Sequence, residues 1–69
     1  MTQKEMIIQH LTEYKNITPM QALEEYGVYR LAAIIKELRN ENYPITTTLV
    51  PHKNRFGTVN KYAKYTLEN

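Results

Sequence analysis

The sequence predicts a small α+β domain, three helices followed by a C-terminal two-stranded β-hairpin. Three features carry that expectation. Residues 17–43, ITPMQALEEYGVYRLAAIIKELRNENY, hold two helical stretches separated by one glycine and closed by a Tyr-Pro pair. From residue 45 to residue 67 the apolar residues alternate instead of recurring every three or four positions. The segment between the alternating stretches, PHKNRFG, is basic. Helix, short turn, helix, basic hairpin is the element order of a winged helix-turn-helix.

The first helix is expected over residues 3–14. Thr2 can cap it, and Glu5 stands at capping-box spacing. Ile7, Ile8, Leu11 and Tyr14 form its apolar stripe. Lys15 and Asn16 end it, and Ile17 is placed to form a short β-bridge. The second helix opens on Thr18-Pro19-x-Gln21, a capping box with proline at the first helical position. Met20, Leu23 and Tyr26 are expected inward, Ala22 allows close packing, and Glu24 and Glu25 are expected in solvent. Gly27 supplies the cheap positive φ that a tight turn needs.

The third helix is expected over residues 29–41. Leu31, Ile34, Ile35 and Leu38 have i, i+3, i+4, i+7 spacing, a full buried stripe. Arg30, Ala33, Lys36, Glu37 and Asn40 fall on the other side. Asn42 can end the helix in the left-handed region, and Pro44 prevents its continuation. Residues 45–50 then read as a strand, 51–57 as a loop with His52, Lys53 and Arg55, and 59–67 as the returning strand. Val59, Lys61, Ala63, Tyr65 and Leu67 share one face of it, with Tyr65 and Leu67 the core anchors. Asn60, Tyr62 and Lys64 take the other face.

At 69 residues the chain is expected to be one domain, 1–69, with an economical core. It has no cysteine, hence no disulfide and no cysteine-ligated zinc. His10 and His52 lie far apart without partners at ligand spacing, so no metal or other cofactor is expected. No phosphate-binding glycine loop, nucleophile elbow or paired catalytic carboxylates are present, and no enzyme is expected. No apolar run approaches the ~20 residues of a membrane span and no signal-peptide pattern opens the chain, so a soluble intracellular protein is the expectation. The net charge is only +2. Residues 1–29 hold two cations against four carboxylates, and residues 30–69 hold seven against three. The basic excess therefore lies on the third helix and the hairpin.

The stretch from Ile17 to Ile45 resembles the small helix-turn-helix proteins of bacteriophages and prophages. The shared pattern is I-T-P-x-x-A-L-x-x-x-G-x-x-R-L-x-x-x-I-x-x-L-R-x-x-G-Y-x-I. Ile17, Thr18, Pro19, Ala22, Leu23, Gly27, Arg30, Leu31, Ile35, Leu38, Arg39, Tyr43 and Ile45 stand at matching positions, and Tyr65-Thr66-Leu67 is similar to the usual ending. Asn42 replaces the usual glycine, and both residues tolerate the left-handed region. Ala22 and Gly27 stand five apart where many repressor-type motifs have four, which fits the looser turn of the winged kind. The resemblance implies a winged helix-turn-helix that binds duplex DNA in the cytoplasm of a bacterial host. Its role would be transcription regulation or excisionase-like accessory work in recombination.

In that reading the third helix enters a major groove and Tyr29, Arg30, Ala33 and Lys36 form its reading face. Arginine can contact guanine through two hydrogen bonds, and alanine can meet a thymine methyl. Lys36 and Arg39, the wing residues Lys53 and Arg55, and either Lys61 or Lys64, which lie on opposite strand faces, would hold phosphates. The structural alternative for Arg30 is a pairing with Glu24, Glu25 or a helix-end carbonyl. Of the six tyrosines, Tyr14, Tyr26, Tyr43 and Tyr65 are expected in the core, and Tyr29 and Tyr62 at the surface. Phe56 is either an exposed wedge or partner contact, or a loop hydrophobe folded back on the hairpin. The runner-up function is a protein-interaction module or small inhibitor without DNA binding, with a phage or host protein as partner. The small net charge and Glu37 on the exposed face keep it open. A third reading is single-stranded nucleic acid stacked on Tyr62 and Phe56 beside Lys64. One such module reads few base pairs, so tight specific binding calls for self-association or a tandem arrangement.

Overall fold

A computed structural model describes residues 1–68. In chain order they form α1 (Gln3–Tyr14), β1 (Asn16–Ile17), α2 (Pro19–Tyr26), α3 (Leu31–Asn40), β2 (Ile45–Lys53) and β3 (Val59–Leu67). The strands make one antiparallel sheet in the order β1-β3-β2. The sequence led us to expect a two-stranded sheet with a lone bridge at Ile17, and the sheet has three strands. Asn16 pairs with Thr66 and Ile17 with Tyr65, so β1 covers the edge of β3 at the base of the hairpin.

Each helix boundary has a local cause. Thr2 and Glu5 close a reciprocal capping box on α1, with bonds of 3.0 and 3.1 Å. Thr18 and Gln21 do the same for α2, at 3.0 and 3.2 Å, with Pro19 at its first turn. Gly27 ends α2 at φ 65°, and its N–H donates to the Leu23 carbonyl. Asn42 ends α3 at φ 73°, as its resemblance to glycine suggested. The Tyr43 N–H donates to Leu38 and the Asn42 N–H to Arg39, which is a Schellman closure. α3 begins at Leu31, two residues later than the periodicity suggested, because Tyr29 and Arg30 form the turn that follows Val28.

The core lies between the three helices and one face of the sheet. It contains Ile7 and Leu11 of α1, Ala22 of α2, the Leu31, Ile34, Ile35 and Leu38 stripe of α3, and Ile17, Ile45, Tyr65 and Leu67 of the sheet. Val28, which no periodic stripe includes, is fully buried after the Gly27 turn. Met20 and Leu23 were expected inward and are not: Met20 is 61% exposed and Leu23 39%. α2 is only eight residues long and meets the core through Ala22 and, at its last turn, Tyr26, so Met20 and Leu23 stay in solvent while Val28 fills the space behind the turn. Tyr14 is exposed too, at the last turn of α1, with its ring 4.9 Å from that of His10. His10 is buried, and its Nδ1 lies 2.7 Å from the Tyr26 hydroxyl. Burial first, and then the charge of Glu25, raises the Tyr26 phenol above its ordinary value.

β2 runs to Lys53 and not to residue 50, so Pro51, His52 and Lys53 are strand rather than loop. Pro51 is tolerated for a reason of register. The Asn54 N–H donates to the Thr58 carbonyl, and pairs in an antiparallel ladder alternate. Pro51 opposite Lys61 is therefore a non-hydrogen-bonded pair, and its nitrogen points to the open edge of β2. Among the described residues no helix is long and apolar enough to cross a membrane.

Candidate nucleic-acid interface

The hairpin is chemically one-sided in charge. Residues 45–67 hold Lys53, Arg55, Lys61 and Lys64 and no carboxylate. Only its base is buried: Ile45, Tyr65 and Leu67 enter the core, while Thr46 to Leu49 and most of the residues beyond are exposed. It therefore projects as a wing, and the molecule measures 39 × 23 × 20 Å. Register assigns the cations to faces. Thr47–Tyr65, Leu49–Ala63, Pro51–Lys61 and Lys53–Val59 share the face that carries the core at the base of the hairpin. Lys53 and Lys61 thus lie on one face. Lys64, opposite Thr48, lies on the other, beside His52 and Tyr62. Arg55 is exposed in the tip between the strands.

α3 meets the wing through Arg39. Its Nε donates to the Ile45 carbonyl at 2.9 Å and its Nη2 to the Thr47 hydroxyl at 2.6 Å. The guanidinium carbon is 6.0 Å from the Tyr65 ring centre. Arg39 was singled out as a phosphate ligand, and the fold uses two of its five N–H donors to fix α3 against the sheet. Among the described residues its Nη1 makes no hydrogen bond. The opposite flank of α3 is acidic. Glu41 pairs with Lys4 of α1, and that hydrogen bond, with the nearby charges of Glu41 and Glu37, holds the Lys4 ammonium above its ordinary value. Glu37 thus belongs to the flank that faces α1, one turn before Glu41. Glu37 is set apart from the wing, but it stands one turn beyond Ala33 and so shares the face of Arg30 and Ala33.

Tyr29, Arg30, Ala33 and Lys36 lie on the outer side of the α2–α3 turn and of α3. Tyr29 is 85% exposed, Arg30 and Lys36 are exposed, and Ala33 is half-buried. Arg30 occupies the N-cap of α3 with no side-chain cap bond. Among the described residues it forms no ion pair with Glu24 or Glu25. The first-turn N–H groups of α3 therefore carry no side-chain cap, unlike those of α1 and α2, and the end of the helix is biased toward anions.

Two features of this surface were not read from the sequence. Thr47 is the partner that orients Arg39, and Leu49 and Lys53 join the face on which the sequence had placed Val59 and Lys61. The second was recoverable, because alternation continues through Pro51 and Lys53 and a paired register places Lys53 opposite Val59. Among the described residues no group of three metal-ligating side chains exists. A family model described as a winged helix-turn-helix domain matches residues 2–69. No curated protein and no solved structure matches the chain.

Proposed function

The chain belongs to the winged helix-turn-helix domain family, and we propose that it binds duplex DNA with α3 in a major groove and the wing on the adjoining backbone. Family membership points to DNA as the partner and to no catalytic activity. The observation that carries the reading is the segregation of charge. The wing has four cations and no carboxylate, whereas Glu41 of α3 is drawn to Lys4 on the far flank. Tyr29, Arg30, Ala33 and Lys36 would meet base edges, with Arg30 the guanine-reading candidate. Lys53, Arg55, Lys61 and the remaining nitrogen of Arg39 would meet phosphates. Lys64 lies on the opposite strand face and would reach a phosphate only at the rim. The role is that of a phage- or prophage-type protein in the cytoplasm of a bacterial host, either a transcription regulator or an excisionase-like recombination factor.

One observation favours a second reading. An open groove of about 440 Å³ lies between Thr18, Pro19 and Met20 at the start of α2 and His52, Asn60, Lys61 and Tyr62 of the wing. Such a groove suits a peptide or a second copy of the chain, and would make the domain a protein-interaction module. Titration against pooled random duplex DNA at low and then moderate salt separates the readings, with bound DNA recovered and sequenced. About four neutralised phosphates give a slope of log affinity against log salt near −3.6. A slope near zero removes the electrostatic basis of the proposal. Enrichment of a motif supports a regulator or site-specific factor, and binding without enrichment supports an architectural one. Absence of binding at low salt favours the protein-interaction reading.

A further inference from the structure

The tip of the wing presents an aromatic ring almost wholly to solvent. Phe56 is 85% exposed. The turn beneath it is built without the ring. The Asn54 carboxamide oxygen accepts from the N–H groups of Phe56 at 2.9 Å and Thr58 at 3.1 Å. The backbone of Asn54 bonds Gly57 and Thr58, and Gly57 takes φ 82° to close the loop. The backbone that carries the ring is thus hydrogen-bonded in place, and the ring is not folded back on the hairpin. Its neighbours are Arg55 in the tip and Lys53 at the end of β2, whose stem reaches toward Gly57. Behind it on one face are Leu49, Pro51 and Val59 with Lys53 and Lys61 interleaved.

A protein-binding patch has an apolar centre depleted of charge. Here each apolar residue of the tip stands beside a cation, and the apolar element is a single projecting ring. That chemistry fits a polyanion with an apolar interior reached through a narrow opening. The minor groove, about 6 Å wide, admits such a tip, and base steps are its apolar interior.

We propose that Phe56 is a wedge that enters the minor groove beneath the wing, unstacks one base step and bends the bound duplex. The inference rests on the duplex-binding reading above. A minor-groove wedge bends DNA toward its major groove, the groove in which α3 would sit, so wedge and helix act in one sense. Flexible pyrimidine–purine steps are the expected sites of insertion.

The test uses the full chain and an end-labelled duplex. The chain has no tryptophan, so Phe56→Trp places a single indole at the tip. On saturation with duplex its emission is expected to be quenched by stacking on a base. The unaltered protein is expected to shorten the end-to-end distance of the duplex by energy transfer. Phe56→Ala is expected to bind with the same salt slope and about tenfold weaker, as loss of one base–aromatic stack predicts, leaving the duplex straight. Because the ring is 85% exposed, both variants are expected to match the parent in circular dichroism. Salt-dependent binding with a straight duplex, or with unchanged indole emission, overturns the wedge and leaves the duplex reading intact. No binding to duplex overturns both. Stronger quenching and tighter binding on single-stranded DNA overturn the wedge in favour of simple base stacking.

Discussion

Lys15 closes α1 in the left-handed region, at φ 73°, where its N–H still reaches the Leu11 carbonyl. A residue with a Cβ is strained there by about 1–2 kcal/mol, and glycine is not. The bonds at this position belong to the backbone: the Lys15 N–H to Leu11 at 2.9 Å, and the Leu67 N–H to the Lys15 carbonyl at 2.7 Å. Substitution leaves both in place. Lys15→Gly also frees the unfolded chain, which returns part of the gain. The net expectation is a protein more stable by about 0.5–1 kcal/mol, read as a higher urea midpoint at unchanged slope. A lower midpoint would mean that the lysine stem packs on the fold. The converse holds at Gly27. It has φ 65° with nothing within 4 Å of an added Cβ. Gly27→Ala therefore carries only the conformational cost and is expected to destabilise by about 1 kcal/mol.

The elements are set by their ends, and the ends titrate. The Thr2 N–H, and then the Thr2 hydroxyl, hold the Glu5 carboxyl below the usual carboxylate range. A lowered folded value means that the stabilisation is complete above the unfolded value of 4.5 and is lost as pH falls through the lower folded value. Acidification below pH 4.5 is therefore expected to fray the first turn of α1. Faster amide exchange at Glu5 and Met6 would show it, and Glu5→Gln should abolish that pH dependence while keeping an acceptor for Thr2. The contact between α3 and the sheet rests on Arg39 and its bonds to Ile45 and Thr47. Arg39→Lys keeps the charge and loses the fork geometry. We expect it to lower stability by about 1–2 kcal/mol, the size of two net hydrogen bonds, and to leave the salt slope of binding unchanged. Weaker binding at full stability would instead make Arg39 a phosphate ligand first. The three helices and the two strands of the hairpin were legible in the sequence, from the Thr2 and Thr18 boxes, the Gly27 and Asn42 stops, the Ile34–Ile35–Leu38 stripe and the alternation after Pro44, whereas β1 was expected only as a bridge at Ile17. What failed was tertiary. The inward placement of Met20 and Leu23 assumed that a short helix buries a whole face, whereas Ala22 and Val28 fill that space. The strand was cut at Val50 because Pro51 reads as a break, and only register shows that its nitrogen points to an open edge. For the site, residue types were legible but face and engagement were not. Alternation put Lys61 and Lys64 on opposite faces without saying which joins Lys53, and nothing local marks Arg39 as tied to Thr47.

At the scale of the whole molecule, the helices and the wing divide the work of binding. The helical body is acidic where α3 meets α1, through Glu41 and Glu37 beside Lys4. The wing is an acid-free lever in a molecule 39 × 23 × 20 Å in extent. A lever of this kind supplies attraction to any backbone, since phosphates carry no sequence. Direct reading of base edges must come from the few side chains on the outer stripe of α3, and the wing adds only the step preference of the Phe56 wedge. Removing Lys53 and Arg55 together by alanine substitution should therefore weaken binding to every sequence by the same factor. The slope of log affinity against log salt should fall from about −3.6 to about −1.8, because each lost phosphate contact removes about 0.9. Arg30→Ala should behave differently. It should leave the slope nearly unchanged and relax preference at one base pair, by about 1–3 kcal/mol for a lost two-bond contact to guanine. Selection from random duplex with each variant measures both effects at once. A preference that changes with the Lys53 and Arg55 pair would give the wing a reading role, through groove width at its tip. A uniform loss with Arg30→Ala would move that arginine from base edge to phosphate, and the reading would then rest on Tyr29, Ala33 and Lys36 alone.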